Sequence, residues 1–195
     1  MTDEIRNRFD AAARTIQDTG RVLAGQIARA VELIVESYRG GGGVLLFGNG
    51  GSAADAQHVA GELVGRFLKE RRALRAVALT ADAAVLTSLA NDYGYEAVFA
   101  RQIEALGRAG DVAIAISTSG NSPNVVAGLA KARELGMATI ALTGAGGGAC
   151  AALADVLLAV PETHTPAVQQ AHQVIYHVLC EMVERDACSE ESSSR

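Results

Sequence analysis

The chain has 195 residues, with 17 Lys and Arg against 22 Asp and Glu, a net charge of -5, and 49% hydrophobic but only 4% aromatic residues. That length suits one domain, and the apolar content is too high for a disordered chain. The acidic balance excludes nonspecific nucleic-acid binding, which needs surplus Lys and Arg, so an anionic ligand must be held by local donors.

The start, MTDEIRNRFD, is charged and lacks the apolar core of a signal peptide. No apolar run reaches the length of a membrane span; Asp155 interrupts even the stretch from Ala149 to Val160. Cys150, Cys180 and Cys188 have no metal-type spacing; the first two read as small core residues and the third as part of a tail. The expectation is a cytoplasmic protein without nucleic-acid or membrane partners.

From Asp3 to Tyr38 apolar residues recur at helical spacing, with Gly20 between two sets, which predicts two helices or one kinked pair over residues 1–39. Four glycines, Gly40 to Gly43, then lead into VLLF, a short apolar run typical of a strand buried on both faces. Similar runs follow at Ala76–Leu79, Val112–Ile116, Thr139–Leu142 and Val156–Val160. Helical stretches separate them: Ala53–Phe67, Ala83–Leu106 in two pieces, Pro123–Leu135 and a short one at Ala149–Leu153. Alternation of this kind means right-handed crossovers, hence an α/β domain with a doubly wound, five-stranded parallel sheet of flavodoxin-like type and helices on both faces. A last helix, Pro166 to about Asp186, completes a single domain over residues 1–186, with 40–186 as the α/β core and C-terminal helix; residues 187–195, rich in Ser and Glu, are expected to be a disordered tail. Ser122-Pro123 and Thr165-Pro166 mark two helix starts, each with a hydroxyl as N-cap and Pro first in the helix.

Two strand-to-helix turns stand out. Gly48-Asn49-Gly50-Gly51-Ser52 lets the backbone approach an anion at a helix start, yet it is neither a dinucleotide fingerprint nor a Walker loop. Ser117-Thr118-Ser119-Gly120-Asn121-Ser122-Pro123 gathers four hydroxyls before a proline-started helix, a set of neutral donors suited to a phosphate monoester. Either alone can be an ordinary turn or a capping loop; two on one sheet point to a phosphosugar-type ligand. His58 and Glu62, spaced i,i+4 on one helical face, can be an acid/base pair or two ligands of a divalent metal. On the last helix Gln169, Gln173 and His177 form a polar stripe, with His172 off it and Val168, Ile175, Leu179 and Met182 opposite as the core side. Such a stripe faces solvent, a partner subunit or the site.

GNGGSAADAQHVAGE, ANDYGYE, ISTSGNSPN and the Gln169–His177 spacing together resemble the sugar isomerase (SIS) domain family, and within it the bacterial phosphoheptose isomerases, over nearly the whole chain to about Glu184. The resemblance implies an isomerase that turns D-sedoheptulose 7-phosphate into D-glycero-D-manno-heptose 7-phosphate through an enediol, for heptose and surface polysaccharide synthesis, and a homotetramer with active sites at subunit interfaces. It implies Glu62 and His177 as catalytic residues. Substrate contacts would come from Asn49, Gly50, Gly51, Ser52, Glu62, Arg66, Asn91, Asp92, Ser117, Thr118, Ser119, Ser122 and Gln169. One zinc ion per subunit would be held by His58, Glu62, Gln169 and His177. Many members carry a basic residue where Ala167 stands and an acid where Gln170 stands, so this chain departs from the pattern there. Because Gln169 and His177 lie about 12 Å apart along one helix and zinc bonds are only about 2 Å, the expectation is that one of them reaches the ion from another subunit.

Three other readings compete. Some SIS relatives are non-catalytic tetramers that bind the replication initiator protein, but these lack the Glu/His pair present here. Arabinose 5-phosphate isomerases usually carry an added regulatory module, for which this length leaves no room. A sugar-phosphate-sensing regulator would need a DNA-binding helix-turn-helix ahead of the sheet.

Overall fold

The computed structural model describes residues 1–193, with side chains through Ser189. The chain opens with one unbroken helix, α1 (Thr2–Arg39). The break expected at Gly20 does not occur. A mid-helix glycine costs about 1 kcal/mol relative to alanine, and here Thr19 and Leu23, on either side of Gly20, are buried, which outweighs it. The first turns project beyond the body, leaving Ile5 and Phe9 exposed.

Five strands follow: β1 (Val44–Gly48), β2 (Ala76–Ala78), β3 (Val112–Ser117), β4 (Ala138–Thr143) and β5 (Val156–Ala159). All pair in parallel, in the order β2-β1-β3-β4-β5, which is the flavodoxin-like arrangement expected. Between them lie α2 (Gly51–Val64), α3 (Ala83–Tyr93), α4 (Val98–Leu106) and α5 (Pro123–Glu134); a 3-10 turn links α3 to α4 and another spans Gly148–Leu153.

Alternation along the strands splits the core into two layers. Val44, Leu46, Ile114, Ile116, Ile140 and Leu142 face α1, α2 and the last helix, whereas Leu45, Phe47, Ala113, Ala115 and Ala141 face α4 and α5. The small side chains of the second face let those helices sit close, with Phe47 and Phe99 in ring contact at 5.3 Å. Helix α3 buries none of its residues. Asp82 caps its start by accepting from the Val85 N–H at 3.0 Å.

The last helix, α6 (Thr165–Ser193), runs past Asp186. Ala187 is buried against the core, so packing continues the helix where composition predicted a disordered tail; the remainder of that tail, residues 194–195, lies outside the described residues. The Thr165-Pro166 start is shifted by one residue, since His164 O accepts the N–H groups of Ala167 and Val168. Cys150 and Cys180 are buried, and burial pushes their thiols up to about 11 and about 12 respectively, which keeps both protonated. Cys188 is half-buried on α6. Among the described residues no helix is long and apolar enough to cross a membrane.

Candidate active site

Strand order reverses between β1 and β3, and their carboxyl ends are level, with Gly48 opposite Ile116 and Ser117 opposite Thr143 on β4. This is the switch point at which open α/β sheets bind ligands. The two turns singled out from sequence meet there and form one cup. Its β1 side is the turn Asn49-Gly50-Gly51 entering α2; Gly50 has φ +56°, a left-handed conformation that favours glycine. A Cβ on Gly51 would stand 2.7 Å from Gln169 Nε2, so glycine here admits the α6 glutamine to the start of α2.

On the β3 side, Ser122 occupies the N-cap of α5 with Pro123 behind it, as expected, but its hydroxyl makes no cap bond. It faces Ser117 Oγ at 3.2 Å instead and points into the cup. Asn121 braces this loop from outside: its amide donates to Ser119 O at 3.0 Å and accepts the Ala149 N–H at 2.8 Å. A side chain at Gly120 would collide with the Gly147 carbonyl, so the loops after β3 and β4 are in direct contact. Helices α2 and α5 both open without a side-chain cap bond and without an acidic residue in the first turn. Two partially positive helix ends therefore flank a cup of neutral hydroxyls and amides, as a phosphate requires.

Sequence reasoning missed the residues that lock the cup. Asn124, 3% exposed, forms a reciprocal amide pair with Asn49 at 2.8 and 2.9 Å, joining the two turns directly. The Tyr95 hydroxyl donates to Asn49 Oδ1 at 3.0 Å. Both lie inside motifs already quoted; what was absent from sequence was the pairing of one loop with the other.

The titratable group lies farther along α2. His58 Nε2 and Glu62 Oε1 are 3.0 Å apart, as the i,i+4 spacing implies. The α6 polar stripe faces this helix: Gln169 sits against Gly51, Gln173 lies near Asp55, and the His177 ring lies 5.1 Å from that of His58. Within one chain the stripe runs along α2, with Gln173 still exposed and Gln169 and His177 half-buried. Two further residues complete the seam. The Tyr176 hydroxyl donates to Asp55 Oδ1 at 3.3 Å and also lies 3.2 Å from His58 Nδ1. Burial raises both the Tyr176 hydroxyl and the Asp55 carboxyl above their usual ranges. Phe67 stacks on His177 at 5.6 Å and 17°.

His172 is wholly buried behind the seam. Its Nε2–H donates to the Thr143 carbonyl at 3.1 Å, and burial pulls its pKa down to about 4. It is a neutral core histidine.

Three expected contacts are not gathered at the cup within one chain. Asn91 and Asp92 are exposed at the end of α3, where the asparagine amide donates to the aspartate at 2.8 Å. Arg66 is exposed in the loop after α2, 3.8 Å from Glu70. No three His, Cys, Asp or Glu side chains converge as a metal-holding group among the described residues. His58 and Glu62 are engaged with each other, and Gln169 lies at the opposite end of α2.

The sequence profile of the SIS domain matches residues 8–144. The phosphoheptose isomerase of Roseiflexus sp. is 51% identical over 95% of this chain and 92% of its own length. The solved phosphoheptose isomerase of Neisseria gonorrhoeae superposes with a TM-score of 0.89 at 42% identity, covering 94% of this chain and 98% of that one. That of Francisella tularensis gives 0.91 at 37% identity with the same coverage. A flavodoxin-like sheet with a cup of neutral donors at its switch point, a seam of titratable side chains beside it and this likeness along almost the whole chain have one reading: the chain belongs to the SIS domain family, among the phosphoheptose isomerases.

Proposed function

We infer that this chain is an aldose–ketose isomerase that converts D-sedoheptulose 7-phosphate to D-glycero-D-manno-heptose 7-phosphate, feeding heptose and surface polysaccharide synthesis. The observation that carries this reading is the arrangement of Glu62 and His177 on facing helices α2 and α6, at one end of a helix whose other end opens on the hydroxyl cup. Glu62 lies ten positions beyond Ser52, about 15 Å along the helix axis, with its side chain tilted back toward the helix start. A substrate with a phosphate at one end and its reacting carbons at the other matches that layout.

Glu62 takes the proton from C1 of the ketose while His177 protonates the developing oxyanion on O2, giving a cis-enediol. Return of a proton to C2 and loss of the O1 proton complete the aldose. The phosphate contacts at Ser117, Thr118, Ser119, Ser122 and the Asn49-Gly50-Gly51-Ser52 turn are made away from the reacting carbons. They supply positioning energy rather than chemistry.

Oligomerisation belongs to the same proposal. Ile5 and Phe9 on the projecting end of α1 and the apolar groove of about 350 Å³ between α1 and α6 are surfaces that a homotetramer would cover. Asn91, Asp92 and Arg66, outside the cup of their own chain, would then serve sites at subunit boundaries. Imidazole and carboxylate suit zinc, but the side chains of one chain do not fit it as they stand. Zinc on His58, Glu62, Gln169 and His177 is therefore proposed only as a site finished across a boundary. With His177 beside its own His58, Gln169 is the ligand for a neighbouring copy to supply. No step above runs through the ion. A cytoplasmic location completes the proposal.

The test is incubation of the purified protein with sedoheptulose 7-phosphate in D₂O. The reading predicts the aldose with deuterium at C2. Absence of turnover, with zinc or without, sinks it.

A further inference from the structure

Outside the cup and the seam, one ion pair among the described residues has both side chains buried, and it is joined to the seam. Arg71 and Glu184 have side chains 1% and 2% exposed, with Nε facing Oε1 at 3.5 Å. Replacing a buried pair with apolar residues is often neutral or stabilising, so such a pair is poorly explained by stability alone. Its hydrogen bonds indicate another role. The Glu184 carboxylate accepts three consecutive backbone N–H groups from the loop after α2: Phe67 at 2.8 Å, Leu68 at 2.7 Å and Lys69 at 2.9 Å. Burial pushes this carboxyl up, but the three N–H groups and Arg71 outweigh that and hold it below its usual range. The Arg71 guanidinium donates to the carbonyls of Glu62 at 2.8 Å, Gly65 at 2.8 Å and Arg72 at 2.9 Å, covering the last turn of α2.

The bonds close a circuit. Glu184 follows His177 by seven residues, two turns along α6, so both lie on one face of that helix. From Glu184 the circuit passes to the Phe67 backbone, through the Phe67 ring, and back to the imidazole of His177. Arg71 adds the backbone of Glu62. One buried pair thus reaches the two residues that exchange protons with the substrate, touching neither side chain. We propose that Glu184 and Arg71 are positioning residues for catalysis, setting the imidazole plane of His177 through Phe67 and the last turn of α2 through the carbonyl of Glu62. This rests on the assignment of Glu62 and His177 above.

The chain has only four histidines. Protein labelled with ¹³C at histidine Cε1 therefore gives four separable signals, and the His177→Asn variant identifies that of His177. A stacked phenylalanine displaces this signal upfield by its ring current. In Glu184→Gln the displacement is expected to collapse and kcat to fall about tenfold, a fraction of the loss that ångström-scale misplacement causes, with KM within twofold. Phe67→Leu, which leaves the charge pair intact, should reproduce both effects. Glu184→Asp, which keeps the charge, should restore part of each.

If Glu184→Gln melts at a lower temperature but keeps the His177 signal and kcat, the pair is purely structural and the proposal is wrong. Should Glu184→Gln fail to fold, Phe67→Leu decides through kcat, since removing the ring abolishes its ring current whatever its role, and an unchanged kcat overturns the proposal. The NMR readout needs no substrate. An inactive wild type would remove the isomerase reading, while collapse of the signal displacement in Glu184→Gln would still support the held imidazole.

Discussion

The two halves of the site are built from opposite materials. The cup at the carboxyl ends of β1 and β3 contains hydroxyls, amides and backbone N–H groups, with the Asn49–Asn124 pair as its clasp. The seam between α2 and α6 concentrates Asp55, His58, Glu62, Tyr176 and His177 within a few hydrogen bonds and ring contacts. A site that only holds a phosphate gains from neutral donors, which are ready at any physiological pH. A site that moves protons needs groups that can gain and lose them. Under the proposed function, separating the two along one helix would let the chain bind at one end and react at the other.

Mutations should split along the same line. Glu62→Gln or His177→Asn is expected to lower kcat by about 10²–10⁴-fold, with KM nearly unchanged and the fold intact by circular dichroism. Near-normal turnover in either variant would erase the contrast.

The buried wall behind the seam should answer to pH. His172 has its pKa lowered to about 4 from 6.5 in the unfolded chain, so the unfolded state binds the extra proton between those values. Its stabilising contribution is fully present above pH 6.5 and is lost as pH falls to 4, on the order of 3 kcal/mol in all. Urea midpoints across that window should drop in the wild type and stay flatter in His172→Gln. Glu184, held below its usual range, contributes above the normal carboxylate pKa and loses that contribution at still lower pH.

In the cup, Ser122→Ala removes a hydroxyl that makes no cap bond. Its melting temperature should therefore move little, while KM rises about tenfold for a lost hydrogen bond to a charged phosphate. The smallest effect is expected from Gly51→Ala. The new Cβ meets only the flexible end of Gln169, so folding should be untouched and kcat/KM should fall a few-fold at most. Steady-state kinetics and melting curves check both variants.

The cup was legible in sequence because its signals are local: a buried strand, a turn of Gly or Ser, and a helix with Pro123 at its start. His58 and Glu62 were legible for the same reason, being one helical turn apart. The seam was only half visible. Tyr176 meets Asp55 across 121 residues, and Phe67 meets Glu184 across 117; no short-range pattern marks such pairs. Gly20 and the end of α6 misled in the same way. In both places local composition argued for a break or a loose tail, and packing between α1, α6 and the sheet carried the helix through.

The most direct test of the division between binding and proton transfer is exchange at C1 of sedoheptulose 7-phosphate in D₂O, compared between Glu62→Gln and Ser122→Ala. The account predicts that deuterium no longer enters C1 with Glu62→Gln at saturating substrate, while Ser122→Ala exchanges at close to the wild-type rate once saturated. Deuterium entering C1 at the wild-type rate with Glu62→Gln would contradict it.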